Sequence, residues 1–177
     1  GSRLALLASR PAALPRPALA VTTKPAGVPA PDSDSRAASW PVEIACPLHW
    51  GEMDAFGHVN NAVYFRWFES ARMSYFERLG WPELQRASGV GPILHSTQAR
   101  FRAPLVWPDT VTVATRVSAV AADRFTMLYE VRSRNLGRIA AEGSGLIVAF
   151  DYRNSCKATL PGLIRERIAH LEASEDS

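Results

Sequence analysis

The sequence predicts an α+β domain in which one curled antiparallel sheet of about five strands wraps around one long central helix. Two observations carry this prediction. Residues 61–79 place apolar side chains at helical spacing, and four later segments alternate polar and apolar side chains with a period of two. These strands follow the helix as a run and do not alternate with further long helices, which favours an α+β sheet over a parallel α/β sheet.

The first 39 residues are expected to lie outside this domain. They hold six of the thirteen prolines and show no sustained helical or strand period, so they bury too little apolar surface to offset the entropy lost on ordering. The segment is interpreted as a disordered extension or, since it is rich in arginine and has no acid before Asp32, as a transit peptide. The predicted regions are a tail over 1–39, a domain over 40–172 and a short tail over 173–177.

The charge pattern, the length of the apolar runs and the cysteine count exclude several classes of protein. Five basic and two acidic residues of the N-terminal tail account for the whole net charge of +3, so the domain carries no electrostatic footprint for nucleic acid. The longest aliphatic-aromatic run, residues 146–150, is far shorter than the roughly 20 residues of a membrane span. Two cysteines are too few for a disulfide scaffold or a structural zinc site. A reducing compartment is therefore expected: the cytoplasm, or an organelle matrix if the tail is a transit peptide.

The domain is predicted to begin near Trp40 with a strand over residues 42–50. A loop with two glycines follows over residues 51–60. The long helix over residues 61–79 comes next, and Gly80 is a typical residue to end it.

The apolar side chains of this helix cover more than one narrow face, because Trp67 and Met73 widen the stripe. We therefore expect the helix to be largely enclosed by other structure. Residues 82–87 are expected to add one short helical turn. A final helix is predicted over residues 161–171, with proline at its first-turn position.

Four segments of alternating polarity are predicted as antiparallel strands. In the first of them, Ile93 and Phe101 are expected to share one face. In the last, Gly143 and Gly145 indicate a bulge or a close backbone approach. The four segments are residues 93–102, 110–117, 124–132 and 138–151.

The most informative stretch is residues 50–64, which reads Trp-Gly-Glu-Met-Asp-Ala-Phe-Gly-His-Val-Asn-Asn-Ala-Val-Tyr. Asp54 lies in a loop that leads directly into the long helix, whose start presents unpaired N–H groups and partial positive charge. Such donors stabilise the oxyanion of an attacked carbonyl group. Asp54 would attack that carbonyl or deprotonate a water; alternatively, it is a turn-forming carboxylate. Gly57 lets the backbone turn tightly and admits a substrate.

This stretch closely resembles the signature of the hot-dog-fold acyl-CoA thioesterases of the 4-hydroxybenzoyl-CoA thioesterase-like group. The likeness extends over about residues 42–170. It implies a hot-dog fold, an acyl-CoA substrate, no cofactor, and a homo-oligomer, a dimer or a tetramer, with active sites shared between subunits. The matching residues are Asp54, Gly57, His58-Val59-Asn60-Asn61, Tyr64, Glu69-Ser70-Ala71-Arg72, residues 99–104 and Asp109-Thr110.

The resemblance also implies roles for individual residues. It makes Asp54 the catalytic aspartate of one branch of the family and the Asn61 backbone N–H the group that polarises the carbonyl. A second branch uses a helix Glu, here Glu69. A structural ion pair explains Glu69 equally, because it is spaced i,i+3 from an arginine on each side. His58 either orients the water or Asp54, or satisfies a backbone carbonyl of the loop.

Substrate-binding candidates follow from residue chemistry. Tyr64 and Trp67 line an acyl pocket or pack in the core. Arg100 and Arg102 lie two apart on one strand face, and arginine forks suit the phosphates of coenzyme A; alternatively, they belong to a solvated sheet face. Lys157, in the loop before the last helix, is a similar candidate.

The sequence thus predicts a metal-free thioesterase that hydrolyses acyl-CoA to a carboxylate and free coenzyme A. Its four histidines form no metal-ligand spacing, and no Gly-x-Ser-x-Gly nucleophile elbow is present. Neither nucleic acid nor membrane is expected as a partner. The alternatives are an acyl carrier protein thioesterase and a non-catalytic acyl-binding hot-dog protein.

Deleting residues 1–38 should leave melting temperature and specific activity nearly unchanged, because this segment has no means of joining the core. Differential scanning fluorimetry and thioester hydrolysis of the full and shortened chains would measure both quantities. A large fall in either one would show that the tail docks on the domain or on a second subunit.

Overall fold

The computed structural model describes residues 40–173, so the predicted tail over 1–39 and the last four residues lie outside the described residues. The described chain contains three α-helices, one 3-10 turn and six strands. The helices are α1 (Asn61–Arg78), α2 (Trp81–Ser88) and α3 (Gly162–Ala173), and the 3-10 turn is Trp50–Glu52. The strands are β1 (Val42–Pro47), β2 (Val90–Phe101), β3 (Thr110–Val120), β4 (Arg124–Ser133), β5 (Arg138–Asp151) and β6 (Cys156–Lys157).

The strands form one antiparallel sheet in the order β1-β3-β4-β5-β2, and the two-residue β6 pairs with the end of β5. The sheet curls around α1, which confirms the predicted α+β hot-dog architecture with five main strands. Among the described residues, β1 and β2 are the edge strands. They differ in length, since β1 has six residues and β2 has twelve.

Local sequence signals set both ends of α1. The side chain of Asn60 accepts a hydrogen bond from the Ala62 N–H at 2.9 Å, which is the usual N-cap arrangement. At the other end, Gly80 has a φ of 62°, a left-handed conformation that glycine adopts without steric cost. Pro82 then lies in the first turn of α2, where its missing N–H costs no hydrogen bond.

The centre of α1 packs directly on the backbone of β5. A Cβ at Gly143 would lie 2.4 Å from the ring of Phe68, so glycine is required there for a close approach and not for a bulge. Phe68 also stacks on Tyr129 of β4, the cross-strand partner of Gly143, with ring centroids 4.7 Å apart. Both aromatic side chains are fully buried, and each such burial stabilises the fold by about 1.5–3 kcal/mol.

The prediction that α1 is largely enclosed was only partly right. Eight of its residues are buried, but one stripe remains exposed. Met73, expected to widen the buried face, is 42% exposed. The sheet covers one side of the helix, and no described element covers the other. The exposed stripe contains Arg66, Glu69, Ser70, Met73 and Glu77.

The face predicted for Ile93 was wrong. A register shift lies between Leu94 and Ser96, where His95 is the extra residue of a β-bulge. Leu94 pairs with Ile147, and Phe101 pairs with Ala141 on the same face of β5. Because one inserted residue inverts a period of two, Leu94 and not Ile93 shares a face with Phe101.

Two element boundaries also differ from prediction. The first strand ends at Pro47 and not at residue 50, because the chain turns into the 3-10 turn at Trp50–Glu52. The predicted helical turn over residues 82–87 is the full eight-residue α2. It ends at Gly89, which has a φ of 84°.

Helix α3 closes the end of the sheet that lies near the C-terminus of α1. Ile164 and Ile168 are buried in the core. The carboxylate of Glu172 accepts hydrogen bonds from the Tyr75 hydroxyl at 2.6 Å and from the Val117 N–H at 2.7 Å. Burial and the adjacent carboxylate raise the pKa of the Tyr75 phenol, so this hydroxyl remains a donor.

Substituting Gly143→Ala should lower the free energy of unfolding by about 2 kcal/mol, because the new methyl group overlaps the Phe68 ring and the Gln98 carbonyl. Gly162→Ala is the matched control, since no atom lies within 4 Å of a Cβ there. Urea denaturation of both variants would measure the difference. Equal stability of the two would contradict the packing described for α1.

Candidate functional site

The loop before α1 is a tight turn held by its own backbone. The Asp54 N–H donates to the His58 carbonyl at 2.7 Å, and the Gly57 N–H donates to the Asp54 carbonyl at 3.0 Å. Gly57 has a φ of 74°, which an L side chain adopts only at a cost of about 1–2 kcal/mol. No atom lies within 4 Å of a Cβ at Gly57, so the turn itself, and not crowding, requires this glycine.

The carboxylate of Asp54 is held by one oxygen. Its Oδ1 accepts from the Phe56 N–H at 2.8 Å and from the His58 N–H at 3.3 Å. Asp54 is therefore a turn-forming residue, as one of the two interpretations predicted. Within residues 40–173 no donor is bonded to Oδ2, which leaves this oxygen available for chemistry.

Contacts outside the turn fix the loop on the domain. The Asn60 N–H donates to the Glu52 carbonyl, and the Val59 N–H donates to the Leu105 carbonyl, both at 2.9 Å. The Glu52 carboxylate accepts from Arg66 of α1 at 3.2 Å. This ion pair was not predicted from the sequence, because the fourteen-residue separation of its partners follows no local spacing rule.

The start of α1, seven residues after Asp54 in the sequence, leaves one helical N–H without an acceptor in the described chain. Asn61 is the first helical residue, so its N–H has no acceptor within the helix. No other acceptor for it occurs in the described part of the chain. The side chain of Asn60 accepts from the next N–H, that of Ala62. The unpaired N–H and the dipole of an eighteen-residue helix together favour an anionic oxygen at this point.

Asp54 and Asn61 line the same cavity, which has a volume of about 390 Å³. Tyr64 forms one wall. Its phenol is buried, which raises its pKa to about 12, so the hydroxyl remains protonated at neutral pH. The complete lining is Asp54, Val59, Asn61, Tyr64, Phe101, Arg102, Ala103 and Pro104.

The substrate-binding candidates fall in different places. Trp67 is buried beside Tyr64, with ring centroids 5.0 Å apart, and does not line the cavity. Arg102 lines it, and the Nε of Arg102 donates to Glu142 at 2.8 Å. Arg100, two residues earlier on β2, is exposed. Lys157 lies on β6, at the opposite end of β5 from the cavity.

The side chains of two catalytic candidates, His58 and Glu69, do not contact Asp54 within one chain. His58 is exposed and contacts Asp54 through its backbone N–H. Glu69 lies eight residues beyond Asn61, about 12 Å further along α1, and its carboxylate is 4.0 Å from Arg72. Glu69 lines a second cavity, which is formed by α1, α2 and β2.

Other chemistries find no support among residues 40–173. This part of the chain contains no group of three or more His, Cys, Asp or Glu that could hold a metal ion. None of its helices is long and apolar enough to cross a membrane. Burial and the nearby Glu52 raise the pKa of the Cys46 thiol, which makes it a poor nucleophile.

The known proteins that are similar to this chain in sequence include two thioesterases. An Escherichia coli long-chain acyl-CoA thioesterase, FadM, is 21% identical over 119 residues, which are 67% of this chain and 90% of FadM. The chloroplast acyl-acyl carrier protein thioesterase ATL3 of Arabidopsis thaliana is 27% identical over 137 residues, which are 76% of this chain and 71% of ATL3.

Solved structures agree with the sequence relatives. A thioesterase from Thermus thermophilus, solved with coenzyme A and Zn, superposes with a TM-score of 0.66 at 30% identity. The match covers 75% of this chain and 95% of that one. The family model of the Thioesterase-like superfamily matches residues 48–168, a range that includes the Asp54 loop, α1 and the four long strands β2 to β5. This chain therefore belongs to the Thioesterase-like superfamily of thioester hydrolases.

Proposed function

We propose that this protein is an acyl-CoA thioesterase whose reaction takes place in the cavity between Asp54 and the start of α1. One observation carries the proposal: a carboxylate with a free oxygen and an unpaired helix N–H line the same cavity. A thioester carbonyl placed between them meets a base or nucleophile at its carbon and a donor at its oxygen.

The chemistry needs only these two groups and water. As a general base, Asp54 takes a proton from a water whose oxygen attacks the thioester carbon. As a nucleophile, Asp54 bonds to that carbon directly and forms an anhydride, which a water then hydrolyses. In both routes the Asn61 N–H holds the oxyanion, the C–S bond breaks, and the thiolate of coenzyme A leaves.

Hydrolysis of a substrate in ¹⁸O-labelled water under single-turnover conditions distinguishes these two routes. Attack by Asp54 itself, followed by water attack on the Asp54 side of the anhydride, would leave one ¹⁸O atom in the carboxylate of Asp54 and none in the first molecule of product acid. Base-assisted attack would place the label directly in the product. Mass spectrometry of the peptide that contains Asp54 and of the released acid measures both.

Two facts support coenzyme A over a carrier protein as the thiol. The FadM relative is named for acyl-CoA, and the Thermus thermophilus structure contains coenzyme A. Arg102 lines the cavity, and Arg100 is exposed two residues earlier on β2; guanidinium groups suit the phosphates of coenzyme A. An acyl carrier protein remains the alternative thiol carrier because of the likeness to ATL3. A comparison of kcat/KM for the same acyl group on each carrier would decide between them.

Replacing Asp54→Asn should keep the fold and lower kcat by roughly a hundredfold or more, as for a lost general base or nucleophile. Glu69→Gln is the control, with a smaller expected loss. Release of coenzyme A, followed with a thiol reagent, measures both variants. An unchanged kcat in Asp54→Asn would move the chemistry to Glu69, and acyl-CoA binding without turnover in the unmodified protein would support a non-catalytic acyl-binding protein.

We further propose that two copies pair through β2. The start of this edge strand is protected, since Trp81 and Tyr152 donate to the Val90 and Pro92 carbonyls. Beyond Pro92 the strand is an open sheet edge, which natural sheets protect or pair. Ile93 and Leu94 on it are 39% and 38% exposed. The other edge, β1, is half as long. A proline ends β1 at Pro47, whereas in β2 Pro92 and the bulge at His95 lie in the first half of the strand and leave its second half open. Pairing two β2 strands antiparallel gives a two-fold dimer with one continuous sheet.

Light scattering should therefore find a species of at least twice the 19.4 kDa chain mass, with no active monomer on dilution. Leu94→Lys adds a charge on the exposed edge and should weaken the dimer and the activity together. Leu136→Lys is the matched control, since Leu136 is 44% exposed in the turn between β4 and β5. A fully active species of about 19.4 kDa would exclude pairing through β2 as a requirement for activity.

A further inference from the structure

Glu52 lies at the base of the Asp54 loop, and both of its carboxylate oxygens are engaged. Oε2 accepts a hydrogen bond from the His49 N–H at 3.0 Å, and Oε1 accepts one from Nη2 of Arg66 at 3.2 Å. The side chain of Glu52 is 15% exposed, whereas that of Arg66 is 64% exposed. Because this carboxylate is largely removed from water and hydrogen bonds to an ionised acceptor are strong, its donors hold it firmly in place.

The backbone of Glu52 closes the same loop. Its carbonyl accepts from the Asn60 N–H at 2.9 Å, and the next pair of residues, Met53 and Val59, forms an antiparallel bridge. The segment over residues 52–60 is therefore a short hairpin with Glu52 and Asn60 at its base. A change in the position of Glu52 is thus passed to both arms of this hairpin.

The two groups of the proposed reaction lie on either side of the hairpin base. Asp54 is two residues beyond Glu52 on the first arm, and Asn61 begins α1 directly after the second arm. Arg66 lies five residues beyond Asn61, about 7.5 Å further along the same helix. Glu52 therefore belongs to the loop that carries the Asp54 carboxylate and is bonded to the helix that carries the Asn61 N–H.

Apolar packing holds the second arm of the hairpin better than the first. Among residues 54–60 only Val59, on the second arm, is buried. On the first arm Met53 is half-buried against the core, and its neighbour Glu52 supplies the charged contact with α1. The arm that carries Asp54 is therefore the one that needs Glu52.

We infer that Glu52 is a positioning residue of the thioester reaction, which holds the Asp54 carboxylate at the distance from the Asn61 N–H that the transition state requires. This inference rests on the proposed function. Glu52 does not line the cavity, so it acts through these two groups and not on the substrate. Because a misplacement of about 1 Å at a reacting group costs up to about a hundredfold in rate, the effect belongs in kcat.

The first test separates positioning from a purely structural role, with decanoyl-CoA as substrate. Glu52→Ala removes both carboxylate bonds, whereas Glu52→Gln keeps the length of the side chain and one acceptor oxygen. We expect kcat to fall about tenfold or more in Glu52→Ala and by an intermediate amount in Glu52→Gln, with KM within about twofold of the unmodified protein. If Glu52→Ala does not fold, Glu52→Gln carries the test alone. An unchanged kcat per folded molecule, with the folded fraction taken from circular dichroism, would overturn the inference.

Glu83→Ala is the matched control. Glu83 forms an i,i+3 ion pair with Arg86 on α2, and it lines neither of the two cavities. Its removal should leave kcat and KM unchanged. A fall in kcat as large as that of Glu52→Ala would mean that the loss of any glutamate ion pair slows the protein, and the inference would then be wrong.

The second test asks whether Glu52 acts through Arg66. Arg66→Met keeps the apolar stem of the side chain and should lower kcat by less than Glu52→Ala does, because the bond from His49 remains. In the Glu52→Ala background, Arg66→Met should have no further effect, since the partner is already missing. Two effects that multiply would show that the residues act separately. A raised KM at unchanged kcat in Arg66→Met would place Arg66 on the substrate, and either result would contradict the inference.

The third test measures binding without reaction. S-decyl-coenzyme A is a thioether that has no carbonyl group for Asp54 and Asn61 to act on. Isothermal titration calorimetry should give it the same affinity for Glu52→Gln as for the unmodified protein, because only transition-state contacts are lost. A loss of affinity equal to the loss in rate would mean that Glu52 shapes the binding site and does not position the reacting groups.

The Asp54→Asn protein separates failure of this inference from failure of the proposed function. In that background Glu52→Gln should lower the remaining rate much less, because the carboxylate that it positions is gone; an undiminished further loss would overturn the inference. If Asp54→Asn lowers kcat but the Glu52 variants do not, only the inference about Glu52 fails. If Asp54→Asn leaves kcat unchanged, the proposed reaction itself fails, and the inference fails with it.

Discussion

The close packing of α1 on the backbone of β5 is the constraint on which the rest of the structure depends. Phe68 occupies the space that a side chain at residue 143 would need, and it stacks on Tyr129 from the next strand. This contact fixes the depth of the helix in the curled sheet. It thereby places the first turn of α1 beside the end of β2, where the cavity lined by Asp54 and Asn61 forms. A larger side chain at residue 143 would move the helix and the cavity wall together.

The Asp54 loop closes its own turn and still presents a carboxylate oxygen that the described chain does not use. One carboxylate oxygen of Asp54 closes the turn, and the other accepts no hydrogen bond from the described chain. A carboxylate held in this way loses little conformational freedom when a substrate binds, which favours a preorganised site. The ion pair between Glu52 and Arg66 extends this order, since it ties the loop to the exposed face of α1.

Two exposed features of the described domain, the edge of β2 and one stripe of α1, lie on the surface through which we propose that two copies pair. The long edge of β2 and the exposed stripe of α1 both border the second cavity. A dimer through β2 would supply the missing sheet partner and would also close the side of α1 that no described element covers. The same dimer would therefore pair the open strand edge and cover the exposed helix face of the single chain.

The sequence by itself determined the class of fold, the extent of α1 and the residues of the Asp54 loop, because these depend on short-range signals. Asn60 caps the helix, Gly80 ends it, and Gly57 permits the turn. The close approach at Gly143 was predicted as one of two options, and packing selected it.

Tertiary structure alone decided the features that depend on contacts between distant residues. The bulge at His95 inverts the alternation of side chains between the two faces of β2. The residue type at that position does not predict a bulge. The separation of Glu69 from the Asp54 cavity follows from the length of α1, and the burial of Arg72 follows from its contact with a strand 57 residues away. A sequence pattern reports which side chains share a face, but cavities and buried charges arise only when separate faces pack together.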